Sequence, residues 1–187
     1  MQISLEIARE ILPKYLKDKN NLTHSRESEV VMRALAKRLN EDKEKWAIAG
    51  LIHDLDWEQT SDNPEKHALQ IMDILKKEEI ELPEDMEHAI QSHNEEYTGV
   101  KRESNFDYAL AAGESVTGLI YAYALMRPTN LEGMKAKSLN KKFKNLQFAA
   151  NVSRELINDI EKTGIERSEF FTIAIQAMQE ISDEIGF

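Results

Sequence analysis

The 187-residue chain contains no cysteine. That excludes disulfides, thiolate metal sites and a cysteine nucleophile, and it suits a reducing, cytoplasmic setting. Proline and glycine are scarce, at 4 and 7 residues, so few stretches carry turn punctuation. No apolar run approaches the ~20 residues of a membrane span, and no membrane partner is expected. The start, Met1-Gln2-Ile3-Ser4-Leu5-Glu6, turns acidic early and has no continuous apolar stretch, so no signal peptide is expected. Net positive charge is missing too. A formal charge of -10 argues against affinity for a nucleic-acid polymer. A small anion responds to the local field, so a nucleotide substrate stays open.

What the chain does have is helical periodicity. Charged residues recur between apolar ones at three- and four-residue spacing, which predicts an all-α fold. A chain of this size buries roughly 70% of the surface its unfolded form exposes, so a core needs no staples. The expected organisation is one domain over residues 1–187, with a core at about 20–127 and a basic segment and C-terminal helices at about 128–187.

Residues 47–52 form an apolar run that ends on His53-Asp54. An imidazole and a carboxylate side by side, where the last turn of a helix loosens, make a mixed nitrogen and oxygen site for a divalent metal. Histidines flank this doublet. With Thr23 as N-cap, His24 falls in the first turn of a helix reaching about Leu39. Asn40 is the expected cap of the helix that ends on the doublet. Pro64 at a first helical position puts His67 on a stripe with Ile71 and Ile74. His93 ends the face formed by Met86, Ala89 and Ile90, whereas His88 falls beside Glu84 and Glu87 and reads as solvated.

A helix from about Asn105 to Met126 carries Glu114 between Ala111 and Gly118 on its own face. A carboxylate among small neighbours is costly unless paired or metal-bound. Asp107, two turns earlier, is an ordinary first-turn acid. Downstream, Lys135, Lys137, Lys141, Lys142 and Lys144 read as a solvated face or as an anion clamp. The last helices are expected over about 148–163 and 166–185. The stripe Phe170, Ile173, Ala174, Ala177, Met178 and Ile181 either closes the core or makes a homo-oligomer contact.

The ordered set His24, His53-Asp54, His67, His93, Glu114 resembles the HD superfamily of metal-dependent phosphohydrolases. The segments 51–58, 90–94, 117–120, 124–128 and 137–143 look like a bacterial and archaeal branch of small single-domain members. The resemblance runs from about His24 to the C-terminus. It implies an HD-domain helical bundle in which His24, His53, Asp54 and a carboxylate of the long helix hold one metal. In dinuclear members, histidines at the places of His67 and His93 hold a second, with the doublet's Asp bridging. Members usually have Asp where this chain has Glu114, so the carboxylate is either this longer Glu114 or Asp107.

Such ligands suit Mn, Fe, Ni, Zn or Mg, as one or two ions. The resemblance then makes Asp54 a catalytic residue that orients a metal-acidified water. It gives Lys137, Lys141, Lys142, Arg127 and Arg154 the charge of a small phosphorylated substrate, and it makes Asp56 and Glu58 partners of ligand histidines. The implied activity is hydrolysis of a small phosphoester, a nucleotide among the candidates. Two other readings stay open: a di-iron enzyme of the inositol-oxygenase type, and a non-catalytic module that senses a nucleotide or metal.

Overall fold

Short polar side chains decide where the helices begin. The computed structural model describes residues 1–187. Ser4 opens α1 (Leu5–Tyr15) by accepting from the Ile7 amide. Asp18 opens α2 (Lys19–Leu39), its carboxylate accepting from the Asn20 and Asn21 amides. An ionised carboxylate that takes two free N–H groups outcompetes the Thr23 hydroxyl. His24 therefore lies in the second turn of α2, not the first. Asn40 does not open the next helix; it closes α2 in a left-handed conformation, φ 60°. Asp42 instead caps α3 (Lys43–Ile52).

The next segment departs further from the periodicity. After the single turn α4 (Trp57–Thr60), Pro64–Lys66 forms only a 3-10 turn, and His67 is extended at φ -60°, ψ 137°. Ala68 is left-handed, φ 71°, and α5 (Gln70–Lys77) starts beyond it. His67 thus faces inward from a linker, not from a helical stripe. α6 (Glu84–His93), the single turn α7 (Glu95–Thr98) and α8 (Asn105–Leu125) follow. Ser104 and Asp107 form a reciprocal capping box at the start of α8.

α9 (Ala136–Lys144) carries the basic run. Of the helix expected over 148–163, residues 148–153 are loop, leaving α10 (Arg154–Asn158) and a 3-10 turn at Asp159–Thr163. Gly164, at φ 83°, ends that turn, and α11 (Arg167–Gln179) follows. The one extended pairing is a lone parallel bridge between Gln2 and Glu81. No helix is long and apolar enough to cross a membrane.

α3 is the axis of the packing, with every residue from Trp46 to Ile52 buried. It crosses α2 at Gly50, where an added Cβ would stand 2.5 Å from the Ser28 carbonyl oxygen. Only a glycine permits that approach, and it brings His53, three residues on, up to His24. α8 packs on α2 through Gly113, where a Cβ would meet Met32 Sδ at 3.0 Å. One cluster of 45 buried apolar residues runs from Ala8 to Ile185. Phe170, Ala174, Ala177, Met178 and Ile181 belong to it, so the C-terminal stripe closes the core.

Candidate metal centre

Six side chains from five parts of the fold converge, five of them lining one cavity and His53 buried behind it. His24 comes from α2, His53 and Asp54 from the end of α3, His67 from the linker, His93 from the end of α6 and Glu114 from α8. His53 has no exposed surface, and His67 and His93 are 6% and 9% exposed. All six have ligand atoms within a few ångströms of a neighbour. His53 Nε2 lies 3.2 Å from His24 Nε2, and His67 Nε2 lies 3.1 Å from His93 Nε2. Asp54 stands between the two pairs. Its Oδ1 is 3.3, 3.2 and 3.6 Å from His53, His67 and His93 Nε2, and its Oδ2 is 3.6 Å from His24 Nε2. Glu114 Oε2 completes the His24 side at 3.7 Å.

Outer hydrogen bonds fix how each ring is protonated. His53 Nδ1 lies 2.9 Å from the Gly50 carbonyl, and His93 Nδ1 reaches the Ile90 carbonyl. A carbonyl only accepts, so both Nδ1 atoms carry the proton. His67 Nδ1–H donates to Asp56 Oδ1 at 2.8 Å. His24 Nδ1 lies 3.0 Å from the Thr117 hydroxyl. That hydroxyl donates to the Glu114 carbonyl at 2.7 Å, so toward His24 it must accept. In the neutral form of each of the four rings Nε2 is therefore the lone-pair nitrogen and points inward, the orientation a metal-binding histidine adopts.

These residues fit a divalent cation. Paired lone pairs at such distances repel unless a positive charge lies between them. Two ligands ~2.1 Å from one ion stand about 3.0–3.4 Å apart for angles from square to tetrahedral, which brackets both nitrogen pairs. Asp56 adds a second reason. It is fully buried and its Oδ2 has no partner, so its charge calls for a cation on the far side of His67.

The electrostatics agree. Burial pushes His53 down to about 3 and also lowers His24, keeping both neutral. Burial opposes charge on His67, but Asp54 and Asp56 outweigh it and raise this ring to about 9. A proton on His67 thus takes the cation's place when the site is metal-free. Burial would raise Asp54, yet the surrounding histidines hold it well below the ordinary carboxylate range. Burial and the charge of Asp54 raise Glu114 to about 8, against a hydrogen bond from Ser115.

Other expected site residues lie elsewhere. Asp107 spends one oxygen on the capping box and its other lies 3.2 Å from His88 Nδ1, so Glu114 is the carboxylate that α8 brings to the cavity. His88 is half-buried beside that carboxylate and away from the cavity. Glu58 accepts from the Lys17 and Asp18 amides and from Asn21, tying α4 to the start of α2. No lysine or arginine lines the cavity. Lys142 sits over the Tyr123 and Phe148 rings, and Lys137 borders a different hollow near Thr172. Lys141 lies on the same short helix, and Arg127 is bound to the Asn130 and Glu132 carbonyls. Arg154 spends its guanidinium on loop carbonyls.

Three contributors escape a reading by residue type. Thr117 sets the His24 tautomer. Asn94 donates to the Pro64 and His67 carbonyls and so anchors the linker. Trp57 lines the cavity and meets His67 edge-on at 5.0 Å, still 37% exposed. Each lay inside a quoted motif, but only the fold shows what it touches.

A family model described as HD domain matches residues 21–143, about two thirds of the chain. It spans all six of the clustered side chains. Neither curated proteins nor solved structures returned a match.

Proposed function

The chain belongs to the HD-domain family, and on that premise we propose that it is a cytoplasmic, metal-dependent phosphohydrolase acting on a small phosphoester. The observation that carries the reading is the pair of inward-facing imidazole couples on either side of Asp54. His24, His53, Asp54 and Glu114 would hold one divalent ion, and His67 and His93 with Asp54 would hold a second. The donor set of nitrogen and carboxylate oxygen suits Mn, Fe, Ni, Zn or Mg. Bound there, the ions would acidify a water and draw charge from the phosphoryl group.

The chain's own residues supply the rest. Asp54 lies between the two imidazole couples and faces both, so it can orient a water nucleophile there. Thr117, Gly50, Asp56 and Ile90 hold the imidazole rings, so no ligand must reorganise as charge develops. Hydrolysis joins the water oxygen to phosphorus, breaks the ester P–O bond and releases the alcohol with a proton.

The test is reconstitution of chelator-stripped protein with each candidate metal, followed by phosphate release from a panel of phosphoesters. Release that depends on metal and on His53 supports the reading. Bound iron with oxygen consumption and no phosphate release would replace it with the oxygenase reading. Tight ligand binding without turnover would replace it with the sensing one.

A further inference from the structure

The loop between α9 and α10 forms one wall of the cavity, where Asn151, Val152 and Ser153 face the metal-side residues Asp54 and Glu114 across a space of about 470 Å³. This loop has little secondary structure of its own, and Ala149 within it is left-handed, φ 45°. Its shape is imposed by Arg154. Nε donates to the Phe143 carbonyl at 3.2 Å, Nη1 to the Ala149 and Val152 carbonyls, both at 2.7 Å, and Nη2 to Asn145 at 3.3 Å and to Phe148. The guanidinium fork is thus consumed by the loop backbone, and none of it is left for a substrate anion. Ser153 Oγ accepts from the Leu156 amide, which leaves its own proton to donate. Asn151 is exposed at the cavity mouth. Trp57 offers a partly exposed ring on the same cavity.

Charge sets the second half of the argument. Two divalent ions would bring four positive charges, and Asp54, Glu114 and the buried Asp56 would cancel three. The small remainder leaves room for the charge of one phosphoryl group and no more. A substrate carrying a di- or triphosphate would bury surplus negative charge beside two carboxylates, with no lysine or arginine on the walls to offset it.

We propose that the Arg154-held loop is the substrate-selecting wall, and that the cavity takes an ester of a single phosphoryl group whose remainder is uncharged and hydrogen-bonding. This rests on the phosphohydrolase reading above. Asn151 and Ser153 contact the remainder, Trp57 packs against it, and Arg154 is a positioning residue that never touches substrate. Specificity comes from neutral groups on the wall and from the absence of cations there.

The experiment measures calorimetric binding of adenosine 5′-monophosphate and adenosine 5′-triphosphate to manganese-saturated protein, alongside turnover. The monophosphate is expected to bind at least about tenfold more tightly. Asn151→Ala, an exposed position that leaves the fold intact, should weaken monophosphate binding about tenfold, the scale of one lost hydrogen bond. Arg154→Lys should raise KM by a similar factor, with kcat and metal content little changed. Equal or tighter triphosphate binding would overturn the proposal. So would no binding of either nucleotide, or indifference to both substitutions. Selective monophosphate binding without turnover would sink the hydrolase reading and leave the assignment of the wall standing.

Discussion

His67 Nε2 faces His93 Nε2 at 3.1 Å, and the His67 ring is held from behind by Asp56 at 2.8 Å. The pair is a clamp with one adjustable jaw, since the His93 Nδ1–H is fixed to its own helix backbone at Ile90. The jaw on the linker keeps its orientation only through Asp56 and the Asn94 anchor.

Asp56→Asn is therefore expected to loosen the metal without touching a ligand. Loss of such a supporting contact typically costs 10–100-fold in metal affinity, roughly. Titration of stripped protein with manganese measures it. An affinity equal to that of the unaltered protein would show that the Asp56 contact is dispensable.

Glu114 and Asp107 should separate cleanly. Glu114→Gln removes an anionic ligand beside His24, so affinity should fall by at least about tenfold, with melting temperature of the metal-free protein unchanged or raised. Asp107→Asn should leave metal content intact and destabilise the fold by about 1 kcal/mol through the damaged capping box. Thermal melts and elemental analysis on both variants check this. Metal loss in Asp107→Asn alone would reverse the assignment.

Thr117 acts on His24 through proton placement. Thr117→Val keeps shape and removes the acceptor for Nδ1–H, so His24 can turn its lone pair outward. Metal affinity should drop about tenfold, and Thr117→Ser should restore it. Equal loss in the serine variant would point to packing as the cause.

Glu27 gives the stability a pH dependence. It is 3% exposed, one carboxylate oxygen lacks a partner, and burial raises it from 4.5 to about 8. Below about pH 4.5 folded and unfolded chains both hold this proton, and its contribution is fully present. As pH rises toward 8 the unfolded chain has released the proton while the folded one retains it, so stability falls. Above 8 the folded state carries a buried charge, at a cost on the order of a few kcal/mol. Glu27→Gln cannot titrate. Its advantage in melting temperature should be small at pH 5 and large at pH 8. A constant difference between those pH values would contradict the account.

The sequence exposes chemistry more readily than placement. His53-Asp54 and His93 end helices whose apolar faces are plain, so their inward direction can be read from spacing. Glu114 stands out because nothing near it on α8 offers a counter-charge. His67 faces inward as its spacing from Ile71 and Ile74 predicts, yet for another reason: that helical stripe begins only after a left-handed Ala68. The start of α2 was displaced because Asp18 caps better than Thr23. The basic run is ambiguous in the sequence, because the partners of Lys142, like those of Arg154 further on, are aromatic rings and carbonyls brought near only by the fold. A charged residue in a sequence carries no mark of whether its charge is already spent.

The contact of Gly50 with the Ser28 backbone ties two properties to one atom's worth of space. His24 and His53 are 29 residues apart in the chain and meet only because α3 lies against α2 at that crossing. A methyl group there would act as a shim, parting the helices and the two ligands together. Substitutions at position 50 should therefore never yield a well-packed protein with a weakened centre; damage to one is damage to the other. The constraint falls on a residue with no side chain, and it makes loading with metal a direct gauge of whether these two helices have closed.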